Sequence, residues 1–504
     1  MSNVIASEQS ERGNPVEKIR DPHGRPITAS LGMTFGFCPP TGGLTLVIWI
    51  FEIVMSSSKN LPHPTRAWVV TVDMGYGHQR ASYPLKGMAY GGIISANNYP
   101  GIPESDKFIW ENSRVFYEFV SRFKMVPVIG DKIFELYDKI QAIPSFYPKR
   151  DLSKSNFQLK EIYKFFKEGD WGKHLITKLA KRPLPFVTTF FATAMMAEYY
   201  NYPNDIYCIL CDADISRAWV PPKPQQSRII YLASNRRVED RLKLYGVRPE
   251  RIILTGFPLP EENVGDNLSI VKTDLGRRLI QIDPDRAYID QFKTTIITQV
   301  GGKNFRLTPT RPLTITFAVG GAGAQRELGI DIATSLSDEI ISGKVRLNLV
   351  AGTNEGVVKY FKSALRSLHL SRQLGDGINI IFEPQKMDYF KVFNRTLRDS
   401  DILWTKPSEL CFYCALGLPI IMAPPIGSQE KFNQKWLELI GAGIDQEDPR
   451  YTSEWLADWL SSGWLAEAAM QGFVEAPKYG TYNIKKIVLG EKEEARKVKT
   501  VLQY

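Results

Sequence analysis

Ala67-Trp-Val-Val-Thr-Val-Asp73, followed without a break by Met74-Gly-Tyr-Gly-His-Gln-Arg-Ala-Ser82, decides the architecture of this chain. A short β-branched apolar run enters a glycine turn and then a stretch without breakers, which predicts a strand, a tight turn and a helix. The pattern recurs. Strand candidates follow at Phe186-Val-Thr-Thr-Phe-Phe, Ile206-Tyr-Cys-Ile-Leu-Cys, Ser227-Arg-Ile-Ile-Tyr-Leu and Arg251-Ile-Ile-Leu-Thr-Gly256. A second series comprises Leu313-Thr-Ile-Thr-Phe-Ala-Val319, Val345-Arg-Leu-Asn-Leu-Val-Ala351, Ile378-Asn-Ile-Ile-Phe382, Ile402-Leu-Trp and Pro419-Ile-Ile-Met-Ala423. Helical stretches, such as 240–245 and 325–341, separate them. Alternating strands and helices build parallel sheets covered on both faces. Two series, divided by a polar, turn-rich stretch around 258–312, predict two doubly wound α/β domains with a ligand at the carboxyl ends of the strands.

The chain's 504 residues exceed what one hydrophobic core supports. With 43% hydrophobic and 23% charged residues, a disordered, collagenous or disulfide-scaffold protein is excluded. The net charge of +9 suits a phosphate-bearing ligand, an anionic membrane or nucleic acid, and does not choose among them. No nucleic-acid-binding motif is present and the basic residues alternate with acidic ones, so no nucleic-acid partner is expected. Cys208-x-x-Cys211 and Cys411-x-x-Cys414 lack the turn glycines of a zinc knuckle and read as buried thiols in a reducing cytoplasm. The most apolar segment, 44–55, is far shorter than the roughly 20 residues a membrane-spanning helix needs. Residues 1–62 mix charge, Pro and Gly. They are either a peripheral arm with an interfacial patch or sequence upstream of a later start such as Met55.

Two glycine turns, Gly75-Tyr-Gly77 and Gly320-Gly-Ala-Gly323, each follow a strand and open a helix, aiming backbone N–H groups outward as an anion site does. Neither completes the dinucleotide fingerprint, because Arg80 and Arg326 stand where the third glycine belongs, and there is no GxxxxGK[ST] loop. Tight strand-to-helix turns also need glycine on steric grounds alone. His78 is one of only five histidines and directly follows Gly77. Such a residue is either a structural hydrogen-bonding group or a neutral general base.

The loop Asp73-Met-Gly-Tyr-Gly-His-Gln-Arg-Ala-Ser82 resembles the first loop of monogalactosyldiacylglycerol synthases and processive diacylglycerol glucosyltransferases, relatives of the peptidoglycan lipid-intermediate N-acetylglucosaminyl transferase. Three further blocks agree in order. Ala233-Ser-Asn-Arg-Arg through Thr255-Gly-Phe-Pro258 is similar to the end of that family's first domain, and Val319-Gly-Gly-Ala-Gly323 to the first loop of its second. Asp401-Ile-Leu-Trp-Thr-Lys-Pro407, Gly417-Leu-Pro419 and Gln429-Glu-Lys-Phe-Asn433 look like its donor region. The resemblance covers 66–90, 228–260 and 313–445.

It implies a GT-B glycosyltransferase: two Rossmann-like domains facing a cleft, with residues 1–62 as an extension, 63–258 binding the acceptor, 259–460 binding the nucleotide-sugar, and 461–504 returning as a helical tail. Carried over, His78 is the acceptor-activating base, and Gly75, Gly77, Asp212 and Asp214 belong to the acceptor side. Gly320, Gly321, Gly323 and Lys406 hold the donor diphosphate. Ser408, Glu409, Gln429, Glu430 and Asn433 contact the donor sugar or ribose, and Phe382 and Glu383 the nucleobase. One of the two aspartates would orient the acceptor or His78 while the other is solvated. The implied reaction is inverting transfer from a nucleotide-diphosphate sugar, with uridine the expected base, to a hydroxyl acceptor, with no cofactor and no metal.

Two departures stand out. Pro407-Ser-Glu-Leu-Cys replaces a glycine-rich turn, so that Phe412 occupies the expected ribose-glutamate position, and Tyr76 stands where relatives carry glycine, narrowing the entrance. Between Lys107 and Arg182, 16 Lys and Arg face 9 Asp and Glu, among aromatics such as Phe116, Tyr117, Phe119, Phe123, Phe134, Tyr137, Phe165 and Phe166. That stretch is either a surface for an anionic membrane carrying a lipid acceptor, which would make the protein cytoplasmic and peripheral on the inner face, or core aromatics under solvated lysines. A nucleotide-sugar 2-epimerase of the same fold and a non-catalytic nucleotide-sugar-binding protein remain alternatives.

Overall fold

Short runs rich in Val, Ile, Leu and Phe become strands when helices cover both sheet faces, because burial then favours apolar residues at every position. The structure is a computed structural model that describes residues 66–112, 143–318, 320, 323 and 325–490, all within one compact unit, His63–Tyr504. The extension 1–62 and the charged stretch 491–499 lie outside the described residues.

Among the described residues, the strands form two six-stranded sheets, parallel throughout. The first contains β1 (Trp68–Thr71), β2 (Ile94–Ser95), β3 (Phe186–Thr188), β4 (Ile206–Ile209), β5 (Ile230–Ala233) and β6 (Ile252–Leu254), in the order β2-β1-β3-β4-β5-β6. The second contains β7 (Leu313–Ala318), β8 (Val345–Gly352), β9 (Ile378–Phe382), β10 (Ile402–Thr405), β11 (Ile420–Met422) and β12 (Gly443–Asp445), in the order β12-β11-β10-β7-β8-β9. Counted from β7, that is the 3-2-1-4-5-6 order of a Rossmann domain. The strand order reverses between β1 and β3 in one sheet and between β7 and β10 in the other. Those two points are where loops diverge and leave a crevice.

Strand alternation divides the first domain's core. Val69, Val187, Ile209 and Leu232 face a hydrophobic cluster that continues into the second domain through Phe257, Leu275, Ile315 and Trp404. Val70, Phe186, Ile206, Cys208 and Tyr231 face the opposite way, into a separate cluster with Trp171 and Trp219. The four cysteines of the two CxxC pairs are buried free thiols, as the sequence predicts.

The elements differ from expectation where local pattern is a poor guide. Only Phe186–Thr188 of the expected six-residue strand is extended, and Phe190 caps the next helix, Phe191–Tyr199. The helix expected over 240–245 starts earlier, at Arg236, because the Asn235 side chain accepts the Val238 N–H and supplies the cap. The stretch 325–341 is two helices, Arg326–Ser335 and Ser337–Ile341. The turn-rich linker 258–312 contains a helical hairpin, Ser269–Ile282 and Ala287–Val300. Arg278 of that hairpin, buried, donates to the carbonyls of Ser400, Leu416 and Gly417 and so fastens it beneath the second sheet.

After β12 the chain forms Thr452–Ser461, Trp464–Glu475 and Gly480–Leu489. The last helix meets the turn following β6. Thr481 Oγ1 donates to Leu259 O at 2.5 Å and Asn483 Nδ2 to Thr255 O at 2.9 Å. Gly480 lies so close that an added Cβ would collide with the Phe257 carbonyl. Replacing it therefore displaces the whole returning helix. Gly480→Ala should lower unfolding stability by about 2–3 kcal/mol in urea denaturation, at the upper end for overpacking. Gly87→Ala, where a Cβ meets open space, should leave it unchanged.

Candidate functional site

Each of the two strand-order reversals carries one of the glycine turns. At the first, β1 runs through Asp73 and Met74 to Gly75, whose φ of 100° excludes most L side chains, and on into the helix Tyr76–Ser82. His78 sits there, half-buried, facing the residues that follow β3. Its ring is 5.0 Å from that of Phe190 and 6.2 Å from that of Trp219. Burial pushes its pKa down to about 4, against smaller upward pulls from the Thr189 backbone and Glu409. The imidazole is therefore neutral at physiological pH. Its Nδ1 is buried and has no hydrogen-bond partner among the described residues.

At the second reversal, Gly320 follows β7 and Lys406 follows β10. A Cβ on Gly320 would lie 3.5 Å from Lys406 Cε, so the expected diphosphate residues converge. Gly323 adjoins Val357 and Asn354; Gly321 lies outside the described residues. Lys406 is ion-paired with Glu430, whose other oxygen accepts the Ile426 N–H at 2.7 Å. Gln429 is half-buried in the same first turn of the helix Ser428–Leu439. Ser408 caps the 3-10 helix Glu409–Leu416. Phe382 ends β9, and the Glu383 N–H donates to Gly352 O at 3.0 Å, tying these two residues to the end of β8.

The two halves are joined by bonds that sequence reasoning missed. Glu409, expected to face ribose, instead accepts from Arg80 Nε at 3.0 Å, and a Cβ on Gly77 would come within 3.2 Å of its Oε2. Arg80, 3% exposed, also donates to Tyr389 Oη at 3.2 Å and sits 4.4 Å from the Phe393 ring centre and 5.2 Å from that of Phe390. Asp73 pairs with Lys386. The Tyr76 hydroxyl accepts the Thr353 N–H at 2.8 Å. Tyr389, Phe390 and Phe393 show helical spacing in the sequence, which marks a buried face but not the arginine it receives.

Two expectations need correction. Asp214 is neither solvated nor turned to an acceptor; it is buried and bonded to Arg241 at 2.8 Å and Arg237 at 3.0 Å, an ion pair inside the first domain. Asn433 is fully buried and does not face a donor, because its amide accepts the Ala213 N–H at 2.7 Å and donates to Asp212 Oδ1 at 3.2 Å. Asp212 is half-buried and near Glu409 and Glu430. Burial raises its pKa to about 6; the Asn433 bond opposes this, while Glu409 and Glu430 add to it.

Residues 288–489 match a family described as a domain of unknown function, DUF6938. The chain is 20% identical over 386 residues to a processive diacylglycerol β-glucosyltransferase from Bacillus pumilus, covering 75% of this chain and 82% of that one. Among solved structures, a UDP-GlcNAc 2-epimerase from Neisseria meningitidis bound to UDP-GlcNAc aligns with TM-score 0.41 and 13% identity, over 84% of this chain and 98% of that one. A glycosyltransferase from Rickettsia africae aligns with TM-score 0.36 and 10% identity, over 84% and 99%. Superpositions this loose transfer no site. In sequence, and in having two facing Rossmann-like domains, the chain resembles the GT-B glycosyltransferases.

Proposed function

We propose that this protein is an inverting glycosyltransferase that moves a sugar from a nucleotide-diphosphate donor to a hydroxyl of a membrane lipid. One observation carries the reading: His78, half-buried at the crevice of one sheet, sits on the loop whose Gly77 abuts Glu409 of the second domain, and in that domain Gly320 meets Lys406 at the crevice of the other sheet. Displacement at an anomeric carbon needs an acceptor oxygen stripped of its proton and a diphosphate leaving group stabilised as it departs. His78 accepts the proton from the acceptor hydroxyl as that oxygen bonds to the anomeric carbon. The bond from that carbon to the diphosphate breaks on the opposite face, inverting the configuration. Lys406 takes up the departing charge by exchanging Glu430 for a phosphate oxygen, aided by backbone N–H groups after β7. This chemistry needs no metal.

With UDP-sugars as donors and diacylglycerol in vesicles as acceptor, His78→Ala should reduce kcat by about 10²–10⁴-fold, the usual weight of a general base. The wild-type rate should persist in EDTA. Transfer undiminished in His78→Ala would end the assignment.

The pH profile separates two groups. His78 titrates at about 4, so protonation of the base cannot explain an activity loss at milder acidity. Asp212 binds a proton as pH falls through about 6; it then loses its negative charge and holds the Asn433 amide more weakly, through a carbonyl oxygen that still accepts. The acid limb of kcat/KM should therefore fall near pH 6, and Asp212→Asn should flatten it.

The convergence of Asp212, Glu409 and Glu430 on the cleft favours a second reading, an epimerase, which uses carboxylates on the sugar itself. Release of a C2 epimer without added acceptor would select it.

The acceptor side supports a membrane lipid. Phe108 is 67% exposed and Phe157 66%, and Phe157 shares the helix Phe157–Gly169 with the exposed Lys160, Lys164 and Lys167. Phe165 is also exposed, whereas Phe166 belongs to the core. The other aromatics expected there, Phe116, Tyr117, Phe119, Phe123, Phe134 and Tyr137, lie outside the described residues. Exposed rings among lysines suit an anionic interface, and no helix among the described residues is long and apolar enough to cross a membrane. Flotation should recover the protein with phosphatidylglycerol vesicles at low salt, much less at high salt, and not with neutral vesicles.

A further inference from the structure

The Tyr76 side chain does not lie in its own domain. It crosses to the end of β8, where Gly352, at φ 68°, turns the chain toward Thr353. A Cβ on Gly352 would collide with the Tyr76 hydroxyl and come within 2.9 Å of its ring, so the phenol reaches this place only because residue 352 has no side chain. There it accepts the Thr353 N–H at 2.8 Å and shares a hydrogen bond with Thr353 Oγ1 at 3.0 Å. Its ring is buried against Tyr389, 5.0 Å between centres, and Phe390, 6.0 Å. Open α/β sheets bind ligands outside the carboxyl ends of their strands, and β8 neighbours β7 on the side away from Lys406. The adjoining strand end holds Phe382 and Glu383, whose backbone is bonded to Gly352.

We propose that Tyr76 stands in for the nucleoside of the donor: it fills the donor's place at the end of β8 and must be displaced when the donor binds. This rests on the donor reading above. The Thr353 N–H is a backbone donor at a strand end, and an oxygen of the base or ribose is the acceptor that would take it over from the phenol. Displacement is local. Arg80 stays locked to Glu409 and the aromatic rings, and Asp73 to Lys386, so the loop keeps its two flanking anchors while Tyr76 between them is released. His78 lies between those two points. Donor arrival and the setting of the base are thereby coupled, and Tyr76 sets donor affinity, because the fraction of molecules with the site vacant multiplies the intrinsic binding constant.

Titration calorimetry with UDP, and with ADP and GDP as further arms, tests this on the full chain. Tyr76→Gly should bind UDP about tenfold or more tightly than wild type, as for a site vacant in a tenth of molecules or fewer. Tyr76→Phe removes only the hydroxyl and keeps the ring; it should gain roughly two- to tenfold, and it serves if the glycine variant fails to fold. In hydrogen exchange, UDP added to wild type should increase exchange over 74–78 while Thr353 stays protected. Equal or weaker binding by both variants, or no change over 74–78, overturns the proposal while leaving the donor reading intact. If wild type and both variants bind none of the three nucleotides, the donor reading fails and this inference with it.

Discussion

The contact on which the rest depends is a buried arginine from one domain held by a carboxylate and aromatic rings of the other. Taking a guanidinium out of water costs several kcal/mol unless it is well paired. Arg80 recovers that cost through Glu409, the Tyr389 hydroxyl and the faces of Phe390 and Phe393. Burial works against its charge, but Tyr389, Glu409 and Tyr413 together more than offset it and hold the guanidinium above its ordinary pKa. Because the arginine is two residues past His78, fastening it also fixes how the loop bearing His78 meets the second domain.

Charge in the cleft is arranged around that pairing. Burial raises the cost of ionising Asp212, and the nearby Glu409 and Glu430 add to it; Glu409 is paired with Arg80 and Glu430 with Lys406. Asp212 has the Asn433 amide against it and, among the described residues, no cation. His78 and Asp212 then act oppositely on stability. Between pH 6.5 and 4 the unfolded histidine takes up a proton that the folded ring refuses, so its contribution falls as pH drops. Between 6 and 3.8 the folded Asp212 binds a proton before the unfolded one does, so its contribution rises as pH drops.

Legibility followed the range of the interactions. Central strands such as β7 and β10 were plain, because burial on both faces leaves uninterrupted apolar runs. The two-residue β2 and the three-residue β12 were missed, since edge strands that short carry no periodicity. The hairpin over 269–300 read as turns because its two helices start from residues in the left-handed region, Leu268 and Arg286, without a capping side chain. Of the proposed site, His78, Gly320 and Lys406 were read from loop position and resemblance, and the structure brings the last two side by side. Asp214 was misread because a DxD pattern does not reveal that Arg237 and Arg241, on the next helix, neutralise its second carboxylate.

The order of strands and turns, a histidine after the first glycine loop and a lysine before Pro407 are properties of the chain taken locally, and local physics was enough to read them. Which groups face one another across the cleft is another matter. That Glu409 is committed to Arg80, Asn433 to Asp212 and Ala213, and Tyr76 to Thr353 depends on partners more than 200 residues apart. Hydrogen bonds are selected by the distances that remain once both cores have packed. No spacing along the chain encodes those distances, so only the folded structure decides them.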